Sequence, residues 1–417
     1  MVLASLRNGD WLSRERMRLV AFAVAAASLI GLIFLLVTSD GLNDYQNRPL
    51  GTDFSNVYAA GTLALEGRAT APFDPPQQHA QEKKIFGDAT PFYGWHYPPF
   101  FLFIAAALAL MPYTLALAVW QSVTLALYLG AIFAILRFGP ARDTKVADDK
   151  LWLLIALAYP AVFINIGHGH NGFLTAALLG TALVLLNGRP LIAGILLGLV
   201  AYKPQFGLMI PLALVAGGYW RACFAAAATV VLLALVTTFV FGSSIWEAFL
   251  VSTHFTRVVV LEAGDTGWHK IQSVFSWVRM WGGPVALAYA VQGAMIVAVG
   301  ACLAWLWRSD AAYPLKAAAL IIAVILGTPY SLDYDLMVLA PAIAFLVADG
   351  LDRGFSPYEK TALAALWLMP LIARSVAQAA LIPLAVPAML IVFALILQRA
   401  ASDLGTFAHW PFAALKK

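Results

Sequence analysis

Apolar residues dominate long, closely spaced runs in this chain, at 19–38, 98–111, 113–136, 151–166, 172–187, 190–202, 205–217, 222–241, 284–307, 316–329, 335–348, 360–373 and 379–398. Elements on the surface of a soluble protein keep a polar face, whereas runs without one are either wholly interior or face lipid. Of the 417 residues, 62% are hydrophobic and only 12% charged, more apolar surface than a soluble core of this size takes up. In a bilayer every backbone polar group has to be satisfied inside the protein, which leaves helices as the spanning element. The expected fold is therefore an all-α polytopic membrane protein, a single transmembrane domain over 1–417, with the lipid bilayer as its surroundings. The formal charge of +4 comes from clusters at the ends of the runs, so nucleic acid is not an expected partner. Cys223 and Cys302 lie inside apolar runs and read as small core residues, with no disulfide framework.

Charge orients the runs. Lysine and arginine concentrate on the cytoplasmic side. That rule sends Arg7 to Arg18, Arg137 to Lys150, Arg189, Arg221, Arg308 to Lys316, Arg353 to Lys360 and the tail from Arg399 to Lys417 to the cytoplasm. Segments 39–97, 167–171, 203–205, 242–283 and 328–335 fall on the other side. The run 19–38 behind the N-terminal arginines is too long for a signal peptide and reads as an uncleaved first span. Run 98–111 is short, opens on Pro98-Pro99 and breaks the alternation, so it is expected to be a partial or re-entrant helix. About twelve spans result, with both chain ends cytoplasmic.

The first outer loop, 39–97, has structure of its own. Phe54, Val57, Tyr58, Gly61 and Leu65 recur at helical spacing, and Gly67 marks a stop. Pro75-Pro76 opens a second, more polar helix that ends at Gly87. Both are expected to be amphipathic helices lying along the membrane surface. The second outer loop, 242–283, carries Trp246, Trp268, Trp277 and Trp281, residues that anchor loops at headgroup level. There is no Walker loop or dinucleotide fingerprint, and Gly194 to Gly198 reads as a helix-packing surface.

Every polar motif falls on the outer side, although the charge rule was applied without reference to them. Asp53, in Gly51-Thr52-Asp53-Phe54, reads either as a helix N-cap or as a general base for a hydroxyl. His96 and Tyr97 precede Pro98-Pro99 and read either as a rigid membrane entry or as the lining of a polar pocket beside Asp53. In Gly167-His168-Gly169-His170-Asn171-Gly172, His168, His170 and Asn171 suit ligand hydrogen bonds, a metal site or a plain turn. Lys203, in Tyr202-Lys203-Pro204-Gln205, interrupts an apolar stretch at a cost of ~2.5–3.5 kcal/mol at mid-bilayer. Beside a proline break, Lys203 and Gln205 suit a lipid phosphate, with snorkelling as the alternative. Tyr330, Asp333 and Asp335 form a polar turn; the aspartates either cap the next helix or hold a divalent cation on a diphosphate. Arg257 is a weaker candidate in the second outer loop.

In order and spacing, Gly51-Thr52-Asp53-Phe54, Phe73-Asp74-Pro75, Tyr97-Pro98-Pro99, Lys203-Pro204-Gln205 and Pro329-Tyr330-x-x-x-Tyr334-Asp335 resemble glycosyltransferase family 87 over most of the chain, roughly 15–400. The family comprises polyprenyl-phosphate-mannose-dependent α-1,2-mannosyltransferases and their relatives on the GT-C membrane fold. The resemblance implies a polyprenyl-phosphate-linked sugar donor, with mannose favoured, and a glycan or glycolipid acceptor. It also implies transfer on the extracytoplasmic face of a bacterial-type inner membrane, with Asp53 as the base. No cofactor is implied, and a divalent metal stays open. A transporter or flippase for lipid-linked sugars, or a non-catalytic assembly protein, are the competing classes; clustering of the polar motifs on one face disfavours transport.

Overall fold

The computed structural model describes residues 2–137 and 149–405, so parts of the expected cytoplasmic segments 137–150 and 399–417 lie outside the described residues. It is an all-α polytopic membrane protein: among the described residues there are only isolated β-bridges and no strand. Among the described residues, seven helices are long and apolar enough to cross a membrane: Arg14–Val37, Tyr113–Leu136, Trp220–Phe241, Val285–Arg308, Asp333–Arg353, Glu359–Ala380 and Ala385–Asp403. Leu151–Leu157 and Pro160–His168 make an eighth as a pair bent by 47°. The remaining apolar runs fold as shorter helices, among them Gly172–Leu185, Pro190–Tyr202, Pro204–Ala216 and Tyr313–Leu326. Proline accounts for several of the breaks, since it removes a backbone donor and clashes with the preceding turn.

Burial sorts the helices. Tyr313–Leu326 is buried along nearly its whole length and forms the centre of the bundle with Leu339–Arg353. Arg14–Val37 buries only Ala21, and Trp220–Phe241 only Ala222 and Thr237. Phe224, Val231, Leu235 and Phe239 stand outward on the latter. Apolar surface on that scale belongs against lipid. Gly194 and Gly198 do act as a packing surface: a Cβ on either would collide with the carbonyl of Ala222 or Ala226 on the neighbouring helix.

The two groups of loops separated by charge meet at the two ends of the bundle. At one end, the Tyr358 amide donates to the Arg7 carbonyl (2.7 Å) and the Trp11 indole to Thr361 (2.9 Å). Arg399 there bridges Asp349 (2.7 Å) and Glu359 (2.6 Å). At the other end, Tyr113 at the start of its helix donates to the Leu50 carbonyl (2.5 Å), and Trp120 two turns deeper to that of Gly169 (3.1 Å). Helix Tyr113–Leu136 therefore starts beside the first loop. The preceding helix, Pro99–Ala109, is short and packs along Thr52–Leu65.

The first loop forms the two expected helices, Thr52–Leu65 and Pro75–Phe86. The face of the first is broader than its apolar spacing suggests: Ser55, Asn56, Ala59, Ala60 and Leu63 are buried, and Leu65 is exposed. The second docks through polar residues. Gln78 donates to the Asn56 carbonyl (3.0 Å) and Gln81 to Thr62 (3.0 Å). Glu82 is buried with them, accepting from the Tyr93 amide (3.1 Å), and has no ion pair among the described residues. Burial pushes its carboxyl up to about 8, against small opposing effects of the Tyr93 and Gln78 hydrogen bonds. The folded protein thus holds this proton between about pH 4.5 and pH 8 while the unfolded chain releases it, and stability is lost as pH rises through that window. Glu82→Gln is expected to raise Tm at pH 8 but not at pH 4.5. In a domain of a couple of hundred residues, each ~1 kcal/mol is worth roughly 2–4 °C. Equal Tm differences at both pH values would show that Glu82 is ionised in the fold.

Candidate functional site

Two glycines bring the first loop onto the bundle. Gly51 (φ 69°) starts helix Thr52–Leu65, and Gly169 (φ 62°) ends helix Pro160–His168. Both occupy left-handed backbone that side chains disfavour. A Cβ on Gly169 would lie 2.5 Å from that of Phe54 and 3.4 Å from the Gly51 Cα. Only with small residues at this contact can the helix carrying Asp53 rest on the histidine turn. The contact is sealed by a 2.6 Å hydrogen bond between Thr52 Oγ1 and His168 Nδ1.

Asp53 stands one residue further along. Gly51, not Asp53, is the N-cap, and the Asp53 side chain accepts no hydrogen bond from the helix. The capping alternative is therefore not realised. Among the described residues the carboxylate has no ion pair. It is half-buried yet surrounded by protein at longer range. That enclosure pushes its carboxyl above the usual range; His168 opposes the shift, Asp333 adds to it, and Lys270 and Arg374 oppose it.

The histidine turn and the aspartate turn are joined below it. Buried Asn165 donates to the Tyr334 carbonyl (3.0 Å) and accepts from the Gly172 amide (2.9 Å). His170 stacks on Tyr334 with ring centroids 3.5 Å apart, and His168 meets the same ring edge-on at 6.1 Å. Asn171 donates to the Tyr97 hydroxyl (2.8 Å), so Tyr97 reaches this cluster across the membrane entry at Pro98-Pro99. Tyr97 also packs at 4.6 Å on Phe101, which stacks on Tyr202.

Both aspartates of the turn face cations. Asp335 pairs with Lys203, and the two side chains are only 2% and 4% exposed. Asp335 also accepts from the Leu332 amide (3.0 Å), so it caps its helix and carries an ion pair together. The Lys203 ammonium sits over the rings of Phe206 (5.5 Å) and Tyr334 (5.7 Å). Asp333 accepts from the Tyr334 amide (3.0 Å) and makes a 2.5 Å ion contact with Arg374 Nε. Arg374, from helix Glu359–Ala380, carried no expectation in sequence. It sits just beyond the apolar run 360–373, in a long helix that continues to Ala380. No cluster of three His, Cys, Asp or Glu side chains with the makings of a metal site occurs among the described residues.

The remaining candidates have other surroundings. His96 is hydrogen-bonded to Thr256 (2.8 Å), and burial pushes its imidazole down to about 4, leaving it neutral at pH 7. Arg257, next to that threonine, is largely exposed and turns to Glu262 (3.7 Å) and His254 (3.2 Å). Gln205 is half-buried and without a hydrogen bond among the described residues. Tyr330 packs with Tyr334, Leu332 and Ile271 in a small apolar cluster under the second loop. That loop is fastened by the Gln272 amide, which donates to the Ser331 carbonyl (2.7 Å), and it brings the turn Trp268–Lys270 onto the helix of Arg374.

Comparison with curated proteins and with solved structures finds no match. The family described as glycosyltransferase family 87 matches residues 95–329, more than half of the chain. The match takes in Tyr97, the histidine turn and Lys203, and it stops short of Asp53 at one end and Asp333 at the other. On this evidence the chain is a membrane-embedded glycosyltransferase that belongs to glycosyltransferase family 87.

Proposed function

We propose that the protein transfers a sugar, with mannose favoured, from a polyprenyl-phosphate donor to a hydroxyl of a glycan or glycolipid, on the extracytoplasmic face of a bacterial-type inner membrane. The observation that carries this reading is Asp53: a carboxylate with no ion pair among the described residues, set among polar side chains at one end of a lipid-facing bundle. A donor with its tail in the bilayer and its sugar at the surface suits a site at that level. In the reaction the acceptor hydroxyl gives its proton to the Asp53 carboxylate as its oxygen bonds to the anomeric carbon. The bond from that carbon to the donor phosphate breaks, and the electron pair leaves on polyprenyl phosphate. A base in this role contributes ~10²–10⁴ in rate. His168, fixed by Thr52, stands beside the base, and Tyr97 and Asn171 offer hydrogen bonds to sugar hydroxyls. The sorting of loops by charge supports the extracytoplasmic orientation.

The test is incubation of the purified protein in nanodiscs with a panel of polyprenyl-phosphate sugars and of nucleotide sugars, followed by mass spectrometry of glycolipid products. Transfer from a polyprenyl-phosphate sugar is expected. Transfer from nucleotide sugars alone would overturn the donor assignment.

A further inference from the structure

Two cations near Asp53 differ in what they have left to offer. Lys203 is 4% exposed and its charge is met by Asp335. Arg374 is 36% exposed, and its Nε lies 2.5 Å from Asp333, which is itself 3% exposed, as an ion contact without hydrogen-bond geometry. A guanidinium has five N–H donors in a planar fork. Among the described residues no acceptor meets the two Nη groups of Arg374, so the outer edge of the fork is free. Asp333 is fixed in turn by the Tyr334 amide and keeps the guanidinium beside it. The turn Trp268–Lys270 packs on the helix that carries Arg374, and Lys270 has no ion pair among the described residues. Both cations lie close enough to Asp53 to act on its charge.

We propose that Arg374, held by Asp333 and assisted by Lys270, is the subsite that receives the phosphate of the donor lipid. This rests on the polyprenyl-phosphate reading above and assigns the anion a place within it. A planar fork with two free nitrogens matches two phosphate oxygens at once, an arrangement that a lone ammonium cannot reproduce. As the glycosyl bond breaks, the phosphate goes from one negative charge towards two, and a fixed guanidinium stabilises the increase. Lys203 then serves to hold the Asp335 turn, and through it Asp333, in place.

The experiment is binding of undecaprenyl phosphate to the protein in phosphatidylcholine nanodiscs, with no acceptor present, alongside competition by inorganic phosphate. Arg374→Ala leaves Asp333 buried without its cation, so Arg374→Ala/Asp333→Asn is measured beside it, with Arg374→Lys as the charge-preserving variant. Loss of a charge-assisted hydrogen-bond pair predicts at least ~10-fold weaker binding in the double variant, with a smaller loss in Arg374→Lys and in Lys270→Ala. Asp53→Asn removes a negative charge close to both cations and is expected to bind undecaprenyl phosphate at least as tightly as the unmodified protein does. Unchanged affinity in the folded double variant overturns the subsite. A loss confined to inorganic phosphate, with lipid binding kept, overturns it as a lipid-headgroup site. Failure of every variant and of the unmodified protein to bind undecaprenyl phosphate would instead defeat the donor reading on which it rests.

Discussion

Replacing Asp53 with asparagine is expected to reduce sugar transfer by ~10²–10⁴ while the protein still folds and binds donor. The substitution keeps size and shape and removes only the charge. Gly51 supplies the helix cap, and the Asp53 side chain has no ion pair or helix hydrogen bond among the described residues, so the fold loses nothing that depends on it. Single-turnover transfer, with thermal stability and undecaprenyl phosphate binding measured on the same preparation, separates the chemical step from folding and binding. Normal turnover would remove Asp53 from the reaction. The pH profile gives a second readout. Only the ionised carboxylate accepts a proton, so activity falls as pH drops through the folded pKa. Burial sets that pKa above the ordinary 3.8, and the acid limb of the rate should sit correspondingly higher. A limb at an ordinary carboxylate pKa would mean that Asp53 is solvated in the working enzyme.

The local elements were legible because their signals are local. Pro75-Pro76 and Gly87 bracket the second surface helix, and the structure gives Pro75–Phe86. Apolar spacing found Thr52–Leu65 to within two residues. It misjudged Leu65, because the face of that helix is set by what packs on it, here Pro99–Ala109 and the polar side of Pro75–Phe86. Charge bias sorted the loops into two groups because it acts on each loop separately. Pairings at long separation left no such trace. Lys203 and Asp335 are 132 residues apart in sequence. Each looked like a candidate ligand group, and only the bundle shows that each is the other's counterion. Arg374 was hidden for a related reason: at the edge of an apolar run a single arginine reads as a loop residue. Its partner, Asp333, approaches it from another helix.

Breaking the Lys203–Asp335 pair from one side should cost more than removing it. Lys203→Ala leaves the Asp335 carboxylate, 2% exposed, without its cation, and truncating one partner of a buried pair typically costs ~3–5 kcal/mol. Asp335→Asn leaves the ammonium over the rings of Phe206 and Tyr334 without its ion-pair partner, but keeps an acceptor for the Leu332 amide. Lys203→Met/Asp335→Asn removes both charges, retains the stem volume of the lysine and should recover much of the loss. A double-mutant cycle on unfolding in detergent therefore predicts strong coupling between the two positions. Additive losses would mean that the two charges are not partners in the working protein. The same double variant decides between two roles for Lys203. If its ammonium only balances Asp335, stability and undecaprenyl phosphate affinity recover together, because Arg374 and Asp333 are untouched. If its ammonium also reaches the donor phosphate, stability returns without affinity.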